Sequence, residues 1–316
     1  MRHTIRWFAV CALAAGLCVA AQAQEKIDLK INYEPGKYFV TKDVTMHVNT
    51  AGDRASESTI RSTMAMDMEV GKPDAQGTRQ LAVTYRQIKF EQKQDDQTVK
   101  FDSTAKAQAD QVPPVGKLFQ GMLDKTVTIT LDGQGQVTAI AGIDEMIASM
   151  LKSAGMDEKA AATLKEQFGE RMVEETFGQM FLMPGKPVAK GDTWEVDKSF
   201  DLPVIGPATY TQICTLKDIK DGVAVVGIKG SLTSEGGQPT ATSGPGAAAM
   251  TINELTVEGT TQMEIATGMA KQADVTQKGT MTLTVGEGGA KKEIKITLNG
   301  QAKTTIEKVT KAEKAE

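Results

Sequence analysis

The residues best suited to bind or react are few, and most of them are methionines. The stretch STMAMDMEV, Ser62 to Val70, places Met64, Met66 and Met68 at every second position. On a β-strand alternate side chains share a face, so the three thioethers would line up. Thioethers suit Cu(I), but a copper site normally gathers them around a histidine or repeats them along a loop. Beyond His3 the chain has only His47, which in VTMHVNT has the opposite parity to Val44, Met46 and Val48. It is expected on the solvent side, away from the sulfurs. The row therefore reads as plain core or as the wall of an apolar pocket, and no metal site is expected.

Other reactive types are equally sparse. Two of the three cysteines, Cys11 and Cys18, lie in the first 23 residues, and Cys214 sits in the alternating stretch TYTQICTLKDI. A single thiol there reads as a small buried hydrophobe. Ser-x-x-Lys occurs at Ser103–Lys106 and Ser149–Lys152 without the S-D-N and K-T-G companions that a penicillin-recognising enzyme needs. The carboxylate pairs Asp95-Asp96 and Glu174-Glu175 fall in a polar hairpin and on a helix. Adjacent helical residues splay by about 100°, so the glutamates do not converge on one point. No catalytic residue and no cofactor is expected, and the chain reads as non-enzymatic.

The opening residues carry a different signal. Arg2 and Arg6 precede an apolar run from Trp7 to Ala21, and Ala21-Gln22-Ala23 supplies a small-x-small cleavage site. Residues 1–23 read as a signal peptide with the cut before Gln24, which predicts a periplasmic or secreted protein. Leu17 before Cys18 departs from a lipobox, which argues against lipidation of that cysteine. The run is short for a membrane span. The formal net charge is −4, and losing Arg2 and Arg6 makes it more negative. That balance speaks against nucleic acid and against electrostatic docking on anionic lipid.

These residues must be positioned by strands. VTMHVNT, TIRSTMAMDMEV, QLAVTYRQIKF and KTVTITLD alternate in the first half, and TWEVDKSFDL, VAVVGIKGSL, TINELTVEGTTQMEI, GTMTLTV and EIKITLNGQAKTTIEKV do so in the second. Asp132-Gly133 and Asp221-Gly222 mark turns; Asn299-Gly300 reads as a turn or as a kink inside a long final strand. Ile143, Met146, Ile147, Met150 and Leu151 instead follow helical spacing, ended by Gly155. A second helix capped by Asp157 is expected to run toward Pro184, and a short helical turn at Val115 to Met122.

The expected organisation is a first β unit over 24–142, a helical segment over 143–186 and a second β unit over 187–316. The segment 234–250, rich in Gly, Pro and Ala, is expected to be a flexible loop. Each half opens on an aromatic strand (KYFV, DTWEV) and later carries a Thr-rich strand ending at glycine, which leaves open a duplicated β unit.

In PGKPVAKGDTWEV, the spacing of Pro184, Pro187, Val188, Gly191, Asp192 and Trp194 resembles a P-x-K-P-V-x-x-G-D-x-W element. That element belongs to an exported bacterial family, a domain of unknown function. The resemblance implies an exported β-rich protein and brings no catalytic residue. The wider architecture is similar to that of periplasmic lipoprotein carriers, in which a curved antiparallel sheet surrounds helices.

The fold class read from these features is α+β, mainly antiparallel β, with a curved sheet or sheets packed on a central helical segment. Met64, Met66, Met68, Met146 and Met150 are the candidate ligand wall; Trp194, Gly191 and Asp192 are structural residues at the entry to the second unit. Two functional readings stay open. One is a carrier of a hydrophobic ligand, such as a lipid or a lipoprotein acyl chain, in the cell envelope. The other is a structural or protein-interaction module with a closed core and an envelope protein as its partner.

Overall fold

The computed structural model describes residues 26–52, 55–105, 112–156, 183–202, 205–234, 248–285 and 292–310. The strands are β1 (Gly36–Ala51), β2 (Ser56–Val70), β3 (Arg79–Gln94), β4 (Gln97–Asp102), β5 (Thr126–Leu131) and β6 (Val137–Ala141). They continue with β7 (Thr193–Leu202), β8 (Gly206–Lys220), β9 (Val223–Ser234), β10 (Ala248–Glu264), β11 (Ala270–Val285) and β12 (Lys292–Lys308). Among the described residues two helices, α1 (Pro114–Met122) and α2 (Ile143–Ala154), lie between β4 and β7. Neither is long and apolar enough to cross a membrane.

All twelve strands join one curved antiparallel sheet of order β6-β5-β3-β2-β1-β12-β11-β10-β9-β8-β7, with β4 paired to β3. The two β units are therefore halves of one sheet, joined by β1 against β12 from Tyr38↔Lys308 to Ala51↔Lys295. Both halves lay their strands in the same lateral direction, as a repeated unit would. Their lengths do not match: β5 and β6 have 6 and 5 residues, while the strands of similar pattern, β10 and β11, have 17 and 16.

Local chemistry explains the joints. Asp221 and Gly222, both at positive φ, make the two-residue turn between β8 and β9. Asn299 and Gly300 lie inside β12, paired with His47 and Met46 in unbroken register, so that dipeptide is not a turn. Pro114 opens α1, where a missing N–H costs nothing. Gly155, in the left-handed region, ends α2 and donates its N–H back to that helix. The helix expected from Asp157 onward lies outside the described residues, as does most of the expected loop at 234–250. β9 reaches Ser234 and β10 begins at Ala248, so the strands claim both ends of that segment.

One element was not anticipated. Residues 26–35 form an extended strap across one end of the sheet, and its alternation buries Ile27, Leu29, Ile31 and Tyr33. Ile27 bridges to Val188 through bonds of 2.8 and 2.9 Å, and the Asn32 N–H donates to the Thr267 carbonyl at 2.9 Å. The Arg79 guanidinium holds the Tyr33 carbonyl and the Asn32 side chain. Ile31 and Tyr33 join a core with α2 and strands β1, β2, β5 and β6, while Ile27 and Leu29 join a core with β7, β8 and β9. The strap thus ties the two halves together where no strand pairing reaches.

Candidate ligand-binding face

The inner face of the sheet, on which the helices and strap pack, is built by alternation. Met64, Met66 and Met68 share that face of β2, as their spacing requires. They do not stay together. Met68, 8% exposed, and the partly buried Met66 pack with Met146 in the core beside α2. Met64 belongs to a separate cluster with Ile88, Phe101, Phe119 and Met122. Met150 lies at the α1–α2 contact, where a Cβ on Gly121 would fall 2.4 Å from its Cα.

A bulge causes the split. Between Ala65↔Gln87 and Met66↔Tyr85 the β2–β3 register skips Arg86. The extra residue switches the inward parity of β3 from Leu81, Val83 and Tyr85 to Ile88 and Phe90. Arg86 itself turns outward and binds Asp67 at 2.7 Å and Asp124 at 2.6 Å. Phe119 of α1 then packs on Phe90 and Phe101, with ring centroids 5.4 and 6.1 Å away. Short spacing in sequence could place the methionines on one face, but the partner strand decided what each touches.

Toward the far end of the sheet the inner wall is less covered and mixed, its apolar side chains interspersed with Ser58 and Ser62 of β2, Gln92 of β3 and Gln277 of β11. Val44, Met46 and Val48 of β1, Ile60 of β2, Leu255 and Val257 of β10, Met281 of β11 and Ile296 of β12 are all partly exposed. The register lines them up across neighbouring strands, as in Met46↔Ile60, Val48↔Leu298 and Met281↔Ile296. None of these eight belongs to the three packed clusters. Tyr210, Gln212 and Cys214 interrupt the wall on β8. The tyrosine hydroxyl donates to the Gln212 carbonyl oxygen at 2.5 Å, and the amide donates to Cys214 Sγ at 3.1 Å. Burial pushes the Cys214 thiol upward, so it stays protonated and poorly nucleophilic.

The outer face is mostly polar, with Phe39 and Ile213 as exposed exceptions. It carries two depressions of about 590 and 560 Å³ that share Asp43 and Thr45. Their lining includes the buried Phe101 and Val112, and its charges are mixed: Arg61 and Lys100 pair with Glu91, Lys89 with Asp102, and Lys229 with Glu258. Lys100 holds Glu91 below its usual range, and Thr104 does the same for Asp102. Such carboxylates are poor proton carriers near neutrality. His47 lies on this exposed face, its Nδ1 3.1 Å from the Thr59 hydroxyl. No cluster of three His, Cys, Asp or Glu able to hold a metal ion occurs among the described residues.

The junction residues sit together. Gly191, at φ +92°, donates its N–H to the Leu216 carbonyl at 2.7 Å, and Leu216 donates to the Asp192 carbonyl at 3.0 Å. The Asp192 carboxylate accepts the Ala189 N–H at 2.8 Å, closing the turn that launches β7. Trp194 stands opposite Cys214 and is buried against Val188 and the strap residues Ile27 and Leu29.

No curated protein matches the chain by sequence. Among solved structures, one described as "lipid-protein interactions in lipovitellin" aligns with 90% of this chain at 10% identity and a TM-score of 0.46. The chain spans only 27% of that protein's length. The β domain of the Bordetella autotransporter BrkA aligns with 85% of this chain and 98% of its own at 10% identity, with a TM-score of 0.26. The outer membrane protein OprG of Pseudomonas aeruginosa aligns with 88% of this chain and 99% of its own at 6% identity, with a TM-score of 0.21. A family model spans residues 76–270, from the start of β3 to the start of β11, and on that match the chain belongs to DUF6263, a family of unknown function.

Proposed function

We propose that this is a non-enzymatic protein of the cell envelope that binds a hydrophobic ligand along the inner face of its sheet. The observation that carries the reading is the change in covering along that face. At the strap end the apolar side chains are packed by the strap and α2; toward the far end Val44, Met46, Ile60, Val257 and Met281 keep part of their surface in water. Apolar surface left wet costs free energy in proportion to its area and marks a place where something apolar binds. The candidate methionines fit this division unevenly: Met66, Met68 and Met146 belong to the packed end, so the wall is carried more by Met46 and Met281 than by the β2 row.

The leader sequence supports an envelope location, and the scarcity of histidine and of reactive nucleophiles supports a binding role over catalysis. The test is binding itself. Protein purified without detergent should release a stoichiometric apolar compound to organic extraction, seen by mass spectrometry. After delipidation it should bind the neutral dye Nile red with a saturable blue shift. A chain that yields no ligand and leaves the dye unbound would instead have a closed core, as an interaction module would.

A further inference from the structure

On β1, β2 and β8–β12 the inner face carries one charged side chain that its surroundings do not account for. Among the described residues of β1, β2 and β8–β12, alternation places only Lys42 inward among the charged types, away from the strand ends. It faces Met64 on β2 and Thr304 on β12. It is exposed, and no carboxylate among the described residues pairs with it, although charged neighbours on the outer face are extensively paired. An ammonium on an apolar wall without a partner is a place where a counter-charge gains more than it would on an open surface.

Its position along β1 is as informative as its charge. On the strap side of Lys42, Tyr38 and Val40 are buried in the core. On the other side, Val44, Met46 and Val48 are the partly exposed wall. Lys42 therefore sits where the packed core ends and the wettable apolar surface begins. Thr304 lies directly across on β12, and Ser62, opposite Val44, lies diagonally across on β2. Both are uncharged donors within one register step of the ammonium.

Resting on the hydrophobic-ligand reading, we infer that the ligand is a single-chain carboxylate amphiphile, a fatty acid, with its head on Lys42. The carboxylate accepts from the Lys42 ammonium and the flanking hydroxyls, and the acyl chain runs over Val44, Met46, Ile60 and Met281. A single lysine matches one negative charge. A phosphomonoester dianion would call for a second cation or an arginine fork, and the inner face of these strands supplies neither.

The experiment uses the delipidated mature chain at neutral pH, with Nile red displaced by laurate or by 1-dodecanol. The wild type should bind laurate about 10- to 100-fold more tightly than the alcohol, the worth of a charge-assisted hydrogen bond in a partly dry site. Lys42→Met keeps the stem and should erase that preference by lowering laurate affinity; Lys42→Arg should retain it. In the wild type itself, laurate affinity should fall with added salt and dodecanol affinity should not, a readout independent of any variant's folding. A Lys42→Met protein that still prefers laurate, or a salt-insensitive laurate affinity, overturns the assignment of Lys42 and leaves the apolar site standing. Displacement by neither compound, with no dye bound, overturns the ligand-binding reading as well.

Discussion

Ile31 and Gly135 touch across the end of the sheet: a Cβ built on Gly135 would fall 2.6 Å from the Cβ of Ile31. The strap and the β5–β6 turn are that close because Gly135 has no side chain, and its φ of +80° suits only glycine. Gly135→Ala should cost about 2–4 kcal/mol, combining backbone strain with displacement of the strap. Gly155→Ala is the control: its φ is +68° but nothing lies within 4 Å, so about 1 kcal/mol is expected. Equal losses in urea melts of the two variants would show that the strap is not held against the turn. Leu29, 1% exposed, tests the other half of the strap, and Leu29→Ala should cost about 2–5 kcal/mol.

Tyr33 gives the strap a pH limit. Burial raises its phenol well above the ordinary value, with Arg79 opposing the shift. The sign follows from linkage: the unfolded chain releases this proton near pH 10, while the folded chain retains it. Stability from this group is complete below about pH 10 and declines as the pH rises further. Tyr33→Phe should flatten that decline while leaving the acid side of the profile unchanged. Thermal melts between pH 8 and 11 on both proteins measure it, and parallel curves would contradict the buried phenol.

Trp194 anchors the second joint, and its neighbours Val188, Cys214 and Leu216 are each 2% exposed or less. Trp194→Ala should cost about 3–5 kcal/mol. With residues 1–23 removed it is the sole tryptophan, so fluorescence reports on this site alone. Emission should be blue-shifted and poorly quenched by acrylamide; emission like that of free tryptophan would place the ring in water.

The strands were legible because alternation and turn chemistry agree, as in TWEVDKSFDL and Asp221-Gly222. The helix at Ile143 was legible because its apolar residues fall at helical spacing between Gly142 and Gly155. The strap carries the same signal, Ile27, Leu29, Ile31 and Tyr33 in strict alternation. What could not be read was the Arg86 bulge, since one extra residue in QLAVTYRQIKF leaves no mark in composition. That bulge sets which methionines meet: Met66 and Met68 join Met146, and Met64 joins the Phe101 cluster. Lys42 was visible as the one charge breaking the apolar phase of KYFVTKDVTMHV, a signal that needed only parity to find.

The methionine row supplies the last test, and the structure ranks its members. Met68 is buried beside Tyr38 and Val70, so Met68→Ala removes packed volume and should cost about 2–4 kcal/mol. Met66 is less covered and should lose about 1–3 kcal/mol, while Met66→Leu, nearly volume-conserving, should stay under about 1.5 kcal/mol. Met64 packs on Phe101 and Phe119 of a different cluster. Its loss should loosen α1 first, so hydrogen exchange in Val115–Met122 should quicken before that of α2. A Cu(I) site built from the three sulfurs makes the opposite forecast: each alanine would weaken metal binding similarly, and apo stability would hardly change. Melts of the four variants with and without Cu(I) separate the two. Wild-type-like apo melting of Met68→Ala, together with stabilisation of the wild type by copper, would show that the row is a metal site and not a wall.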